Sequence, residues 1–540
     1  KKGYATDGAA SKQNGKNNMA MINAVATYAK VFGKHDVNVM GGWEYKKNFW
    51  EGMGIYATQF PFDNALYNNI GSSTQESPSI SSNKGSSEMA SFFARANYVL
   101  NGKYILTANV RVDGSSNFSP AHQWGVFPGV SLAWKMNEEP WLQNVSWLSS
   151  LKLRAGAGQT GNAGGLTGIY SYYTVRNNVF APGGSMVNGV GLSKIGNPNL
   201  KWETLTDYNI GVDFGFFRNR INGTIDAYER YRSDIIQSKS LMSYNEIRTI
   251  DYNSQQVYRS RGIDFTLRSV NIDSHGFYWA TDFNISFNRN HTLTRDPEFI
   301  PSIYQPMVED WGNVYGYVTL GLIQSGESYA HLPNSRPGCI NYLDRSGYMM
   351  DDQGNRLVDK DGRYIHDNVP DGLLDAADMV LLFNNAPIPV GLNNTFRYKN
   401  LDLNVYVYGS LHTRRVNDVK YQSVWGIEDI TYGVNALTAI KNRWSESNPT
   451  GTMPAVYEAN TNINPSSFFY EKSWYLRLDN ISLGYTFPAR WLKNKIRSFR
   501  AYVSTRNIAV LTPYTGMDPE TSNGIGAYPN NASAAIGIDI

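Results

Sequence analysis

Across 540 residues, 49 Lys and Arg stand against 46 Asp and Glu, and the resulting +3 charge forms no basic run that would read nucleic acid. Hydrophobic residues make up 41% and aromatics 13%, yet no run approaches the roughly 18 apolar residues of a membrane-spanning helix. The single cysteine, Cys339, excludes an internal disulfide and a Cys-based metal site.

What remains is a chain polar on average but rich in Tyr, Trp, Gly and Asn, the profile of strands whose two faces meet different surroundings. The N-terminal KKGYATDGAASKQNGKNN has no apolar signal core and reads as a polar loop. Period-two patterning then predicts about fifteen strands, near 19–32, 36–49, 88–100, 103–113, 124–136, 148–158, 203–216, 219–232, 256–270, 276–289, 390–398, 401–410, 473–487, 498–509 and 533–540.

The sharpest local signal is Ser91–Asp113, where two alternating runs meet at Asn101-Gly102, a pair that tolerates the positive φ of a type I′ turn. Tyr104, Leu106, Ala108, Val110 and Val112 fall on one face; Ile105, Thr107, Asn109, Arg111 and Asp113 fall on the other. LDLNVYVY at 401–408 repeats the pattern. Connections alternate strictly between short ones, such as Gly33-Lys34-His35, and long Gly/Ser/Asn-rich ones, such as 290–389. Short turns at one end and long loops at the other predict an all-β, transmembrane, antiparallel up-and-down barrel of the outer-membrane type. The first and fifteenth strands would run in the same direction, so closure calls for an odd number of further strands before Lys1.

Long irregular motifs carry a resemblance. SSNFSPAHQWGVFPGVSLAWKMNEEPW (115–141), LKLRAGAGQTGN (151–162), NPNLKWETLTDYNIGVDFGFFRNRI (197–221), SWYLRLDNISLGYTFP (473–488) and RAYVSTRNIAVLTPYTGMDPE (500–520) resemble the SusC/RagA family of TonB-dependent outer-membrane transporters of Bacteroidetes. The resemblance implies a barrel of about 22 strands with an N-terminal plug. On that reading 1–540 is a partial barrel without the plug, the TonB box and the first strands. It further implies import of oligosaccharides or oligopeptides, energised by TonB-ExbB-ExbD, beneath a SusD-like lipoprotein lid, in a dimer of transporter–lid pairs surrounded by outer-membrane lipid. A passive porin and a surface glycan-binding scaffold are the alternatives.

Candidate sites follow. Gly156-Ala-Gly-Gln-Thr-Gly161 fits GxGxxG after a strand, but a polar loop follows where a dinucleotide site needs a helix. Seven histidines show no paired ligand spacing and there is no GxSxG elbow, so no enzyme is expected. Asp367, Asp371, Asp375 and Asp378 resemble the family's EF-hand-like loop, in which alternating carboxylates converge on Ca²⁺; Val369 takes one ligand position, so a solvated acidic loop is the other reading. Trp50, Tyr56, Tyr170, Tyr421 and Trp425 lie in predicted external loops, where aromatic faces stack on sugars, pack peptide side chains or contact the lid. Thr107, Asn109 and Arg111 are expected to line the lumen.

Overall fold

Buried backbone in a membrane must find its hydrogen bonds inside the protein, and here a strand ladder supplies them. The computed structural model describes residues 8–62, 68–76, 78–164, 168–180, 187–241, 247, 249–299, 308–360, 364–425, 438–455, 466–492, 496, 498–521, 528 and 530–540. Its strands, in chain order, are β1 (Ala9–Phe32), β2 (His35–Thr58), β3 (Ser79–Leu100), β4 (Tyr104–Ser115), β5 (Trp124–Lys135), β6 (Leu148–Asn162), β7 (Glu203–Phe216) and β8 (Ile221–Ser233). They continue as β9 (Val257–Ser274), β10 (Phe277–Thr294), β11 (Ile388–Tyr398), β12 (Leu401–Leu411), β13 (Tyr475–Thr486), β14 (Arg500–Leu511) and β15 (Ser533–Asp539). One sheet holds all fifteen in sequential order. Shorter strands pair within the long connections.

Turn chemistry matches the sequence. Asn101 and Gly102 both take positive φ, 55° and 70°, as a type I′ hairpin requires. His275-Gly276 repeats the device between β9 and β10. Across the β3–β4 ladder apolar residues oppose apolar ones, Phe92 with Val112, Ala94 with Val110 and Tyr98 with Leu106. Polar residues oppose polar ones on the other face, Ser91 with Asp113 and Asn97 with Thr107. Aromatic pairs gather toward the short-turn end, including Trp147 on Phe216 at 5.5 Å, Trp279 on Phe396 at 5.7 Å and Tyr485 on Phe487 at 5.0 Å. That is the place of an interfacial girdle.

The first three strands are longer than expected. β1 and β2 run 24 residues each where about 9–11 cross a bilayer, and their first connection is 59–78 rather than 50–87. The added residues mix polar groups and glycines, Gln13, Asn14, Lys16, Gly52, Gly54, Ser81 and Asn83, with scattered apolar ones such as Met53, Ile55 and Ile80. Glycines and polar residues break the hydrophobic alternation there, so it gives little signal.

The chain divides into two compact units: Lys1–Leu132 with Gly156–Thr206 and Arg232–Ser254, and Ala133–Ala155 with Asp207–Tyr231 and Gln255–Ile540. The first contains a core of Phe118, Phe127, Ile169, Leu200 and Trp202. Here the glycines of the GxGxxG run find a packing role inside β6: a Cβ on Gly161 would lie 2.0 Å from the Phe127 ring. The second unit packs Tyr317, Ile323, Cys339, Ile340, Tyr342 and Phe469 within its long connections.

Replacing Gly102 by valine forces a β-branched residue into the left-handed region, at a cost of about 1–2 kcal/mol. Urea unfolding of the protein in lipid vesicles should show that loss, whereas Gly102→Asn should stay close to the parent.

Candidate functional site

On the polar face of β4, Arg111 donates from Nε to Asp113 Oδ1 at 2.7 Å and from Nη2 to Ser91 Oγ at 2.8 Å and Glu44 Oε1 at 3.2 Å. Its guanidinium lies 5.5 Å from the Phe93 ring centroid. Thr107 Oγ1 donates to Asn97 Oδ1 at 2.8 Å. Asn109 reaches over the next strand, where a Cβ on Gly129 would be 2.8 Å from its Oδ1. Thr107, Asn109 and Arg111 therefore share one face, as the alternation predicts, and the Arg111 charge is matched by two carboxylates.

The β2 register runs without a shift from Glu44 to Tyr56, so Trp50, Gly52, Gly54 and Tyr56 lie on the Glu44 face. Opposite them stand Asn17, Gly15 and Gln13 on β1, and Gly85, Asn83 and Ser81 on β3. All of these but Tyr56 and Gly85 line a cavity of about 480 Å³, Trp50 among them with glycines at Gly15, Gly52 and Gly54. The indole lies flat on β3: a Cβ on Gly85 would sit 2.4 Å from Trp50 Cζ2, so glycine is what admits the ring. An aromatic platform flanked by amides and a hydroxyl can stack a ring while its polar groups are hydrogen-bonded. Trp50 and Tyr56 thus sit on strands rather than loops. The sequence reading missed Gln13, Asn17, Ser81 and Asn83; the alternating Gly52-x-Gly54 was the signal available.

The other aromatics are dispersed. Tyr170 is exposed beside buried Ile169 in the 163–202 connection. Tyr421, on α1 (Asp418–Trp425), packs edge-on against Phe469 with centroids 5.1 Å apart, which makes it part of a loop core. The side chain of Trp425 lies outside the described residues.

In the acidic loop, carboxylates grip backbone. Asp378, 1% exposed, accepts from Arg345 N, Ser346 N and Asp375 N at 2.6, 3.2 and 3.0 Å. Asp375 caps the turn through Ala377 N at 2.6 Å. Asp367 Oδ1 accepts from Gly347 N and Val369 N, both at 2.9 Å, and Asp371 Oδ1 from Leu373 N at 2.9 Å. The second oxygens of Asp367 and Asp371 approach Gly347, while Asp375 and Asp378 are turned to the main chain. Among the described residues no three His, Cys, Asp or Glu side chains are placed to hold a metal ion. The donor set therefore does not fit the expected four-carboxylate calcium shell.

In the 234–256 connection, burial pushes the Asp251 carboxyl up, but its ion pair with Lys194 at 2.8 Å and the Ser238 hydroxyl bring it below the ordinary carboxylate value. This pair ties two extracellular connections together.

Long strands, apolar on one face and polar on the other, with trimmed turns at one end, define a transmembrane β-barrel of the bacterial outer membrane. A family model described as "TonB dependent receptor-like, beta-barrel" matches residues 3–508, and the chain belongs to that family, in its SusC/RagA type. TonB-dependent receptor P3 of Formosa agariphila is 31% identical over 95% of this chain and 51% of its own length. TonB-dependent receptor SusC of Bacteroides thetaiotaomicron is 29% identical over 96% of this chain and 49% of its own length. The solved RagAB peptide transporter shares the fold, with a TM-score of 0.78 at 22% identity over 98% of this chain and 56% of that one. The chain thus spans about half the length of the curated relatives it matches.

Two outcomes test this geometry. Asp378→Ala leaves three backbone N–H groups, that of Ser346 buried and those of Arg345 and Asp375 partly so, without their acceptor and should cost about 1–3 kcal/mol, read as a lower melting temperature and faster hydrogen exchange across 344–378. The Asp251 pair contributes its stability above the unfolded carboxyl pKa, about 3.9, and loses it as pH falls through the lower folded value. Exchange in 249–253 should therefore accelerate on acidification below about pH 4, and Asp251→Asn should remove that dependence.

Proposed function

We propose that the protein imports oligosaccharides across the outer membrane in a TonB-dependent manner, with this chain supplying the barrel through which they pass. The carrying observation is the groove at Trp50, Asn17, Gln13 and Asn83, which combines an aromatic surface with amide donors and acceptors. On the same face, Thr107, Asn109 and Arg111 line the lumen toward the periplasmic end, so a sugar leaving the groove meets hydrogen-bonding side chains rather than an apolar wall. Tyr170 and the extracellular connections receive a SusD-like lipoprotein lid, and two such pairs associate. TonB-ExbB-ExbD supplies the energy through a plug elsewhere in the protein. The chemistry is capture and passage; bond breaking falls to other proteins.

The matches to SusC and to the RagAB peptide transporter support import of polymer fragments, and the groove favours sugars over peptides. Uptake of labelled oligosaccharides and oligopeptides by cells making the full-length protein, with and without TonB, decides the reading. Oligosaccharide uptake should vanish without TonB, and Trp50→Ala should weaken its apparent affinity about 5-fold, equivalent to about 1 kcal/mol. Uptake that persists without TonB would make the protein a porin, and binding without uptake would make it a scaffold. Peptide uptake alone would overturn the substrate class.

A further inference from the structure

β9 enters from the 234–256 connection and leaves through His275-Gly276, so its first residues lie at the extracellular end. Its apolar face meets that of β10 in the pairs Leu267 with Phe283, Phe265 with Ile285 and Ile263 with Phe287. One rung further out, on the same face, Arg261 stands directly opposite Arg289. Two like charges facing each other across a ladder repel and are destabilising unless a counter-charge lies between them.

The neighbouring cations have acidic partners: Arg259 lies 3.7 Å from Glu229, His291 hydrogen-bonds Asp310, and Arg295 pairs with Glu309. Among the described residues, Arg261 and Arg289 pair with no carboxylate; the side-chain hydrogen bond of Arg289 there is a long one of 3.4 Å to Oδ1 of the neutral Asn384.

Beneath this pair the wall opens. The β10–β11 ladder ends at Ile285 with Val390, leaving Phe287 without a partner strand on that side. A mainly apolar cavity of about 330 Å³ lies at the gap, lined by Ile263, Phe287 and Ile388, by Arg261 and Arg289, and from the other face of the ladder by Tyr228 and Asn288. Ile263 and Phe287 remain 50% and 48% exposed. The guanidinium pair and the apolar Ile263–Phe287 pair are thus successive rungs on one face, with the arginines nearer the long connections.

We propose that this cleft is a binding site for an outer-leaflet lipid bearing a phosphate monoester, with one acyl chain against Ile263, Phe287 and Ile388 and the phosphate held between Arg261 and Arg289. Guanidinium forks match phosphate oxygens two at a time, and a single dianion between two arginines converts their repulsion into attraction. The site shares no lining residue with the substrate groove.

Native mass spectrometry of the delipidated full-length protein tests the assignment, with monophosphorylated lipid A as probe and phosphatidylcholine and inorganic phosphate as comparisons. Lipid A should be retained by the parent, and Arg261→Gln with Arg289→Gln should lower its affinity about 10-fold or more, as expected for loss of charge-assisted hydrogen bonds. Arg268→Gln, on the opposite face of β9, should leave retention unchanged. Melting temperatures keep the test independent of folding defects. The lipid-free double variant should melt at or above the parent, because repulsion is relieved, while only the parent should gain from lipid A. Equal retention by parent and double variant, equal retention of phosphatidylcholine, or equal stabilisation by inorganic phosphate would each overturn the proposal.

Discussion

Hydrocarbon offers no hydrogen bonds, so each backbone N–H and C=O that crosses it must be matched by a neighbouring strand. The rest follows from that constraint. Pairing in sequential order forces turns at alternate ends, and the pleat sends successive side chains to opposite sides. One side then selects Leu, Val, Ile and Phe while the other is free to carry polar groups. Leu401, Leu403 and Val405 meet Tyr485, Leu483 and Ile481 on the first, and Asp402 sits between them on the second.

Charges on the polar face come in compensated groups. Arg154 is held by Asp213 and Asp226 at 2.7 and 2.9 Å, and Arg500 by Asp402 and Asp539 at 2.6 and 3.0 Å. Arg477, 2% exposed, binds Asp518 and Glu520 and thereby moors the connection after β14 to the wall. Breaking one partner of so buried a pair leaves an uncompensated charge, which makes the mooring costly to release. Against this background the facing Arg261 and Arg289 stand out, with no carboxylate paired to either among the described residues.

Most of the wall was legible because its two faces see different media. At β7 the predicted 203–216 coincides with Glu203–Phe216, and Asn101-Gly102 adopts the predicted turn. Legibility stopped where glycines and polar residues interrupt the alternation: the outer halves of β1 to β3 read as loops, and the residues flanking Trp50 went unnoticed with them. The acidic loop failed for another reason. Spacing records where carboxylates occur along the chain but not whether backbone N–H groups claim their oxygens first, as they do at Asp375 and Asp378. Tyr421 likewise looked available until Phe469 was found against it.

Cys339 lies 5% exposed among Ile323, Ile340 and Phe469, and it is the only thiol in the chain. A thiol reagent can reach it only when that packing parts, so its modification rate counts the openings of one extracellular body without any engineered label. The chain thus carries an internal clock for the opening of this one packed body.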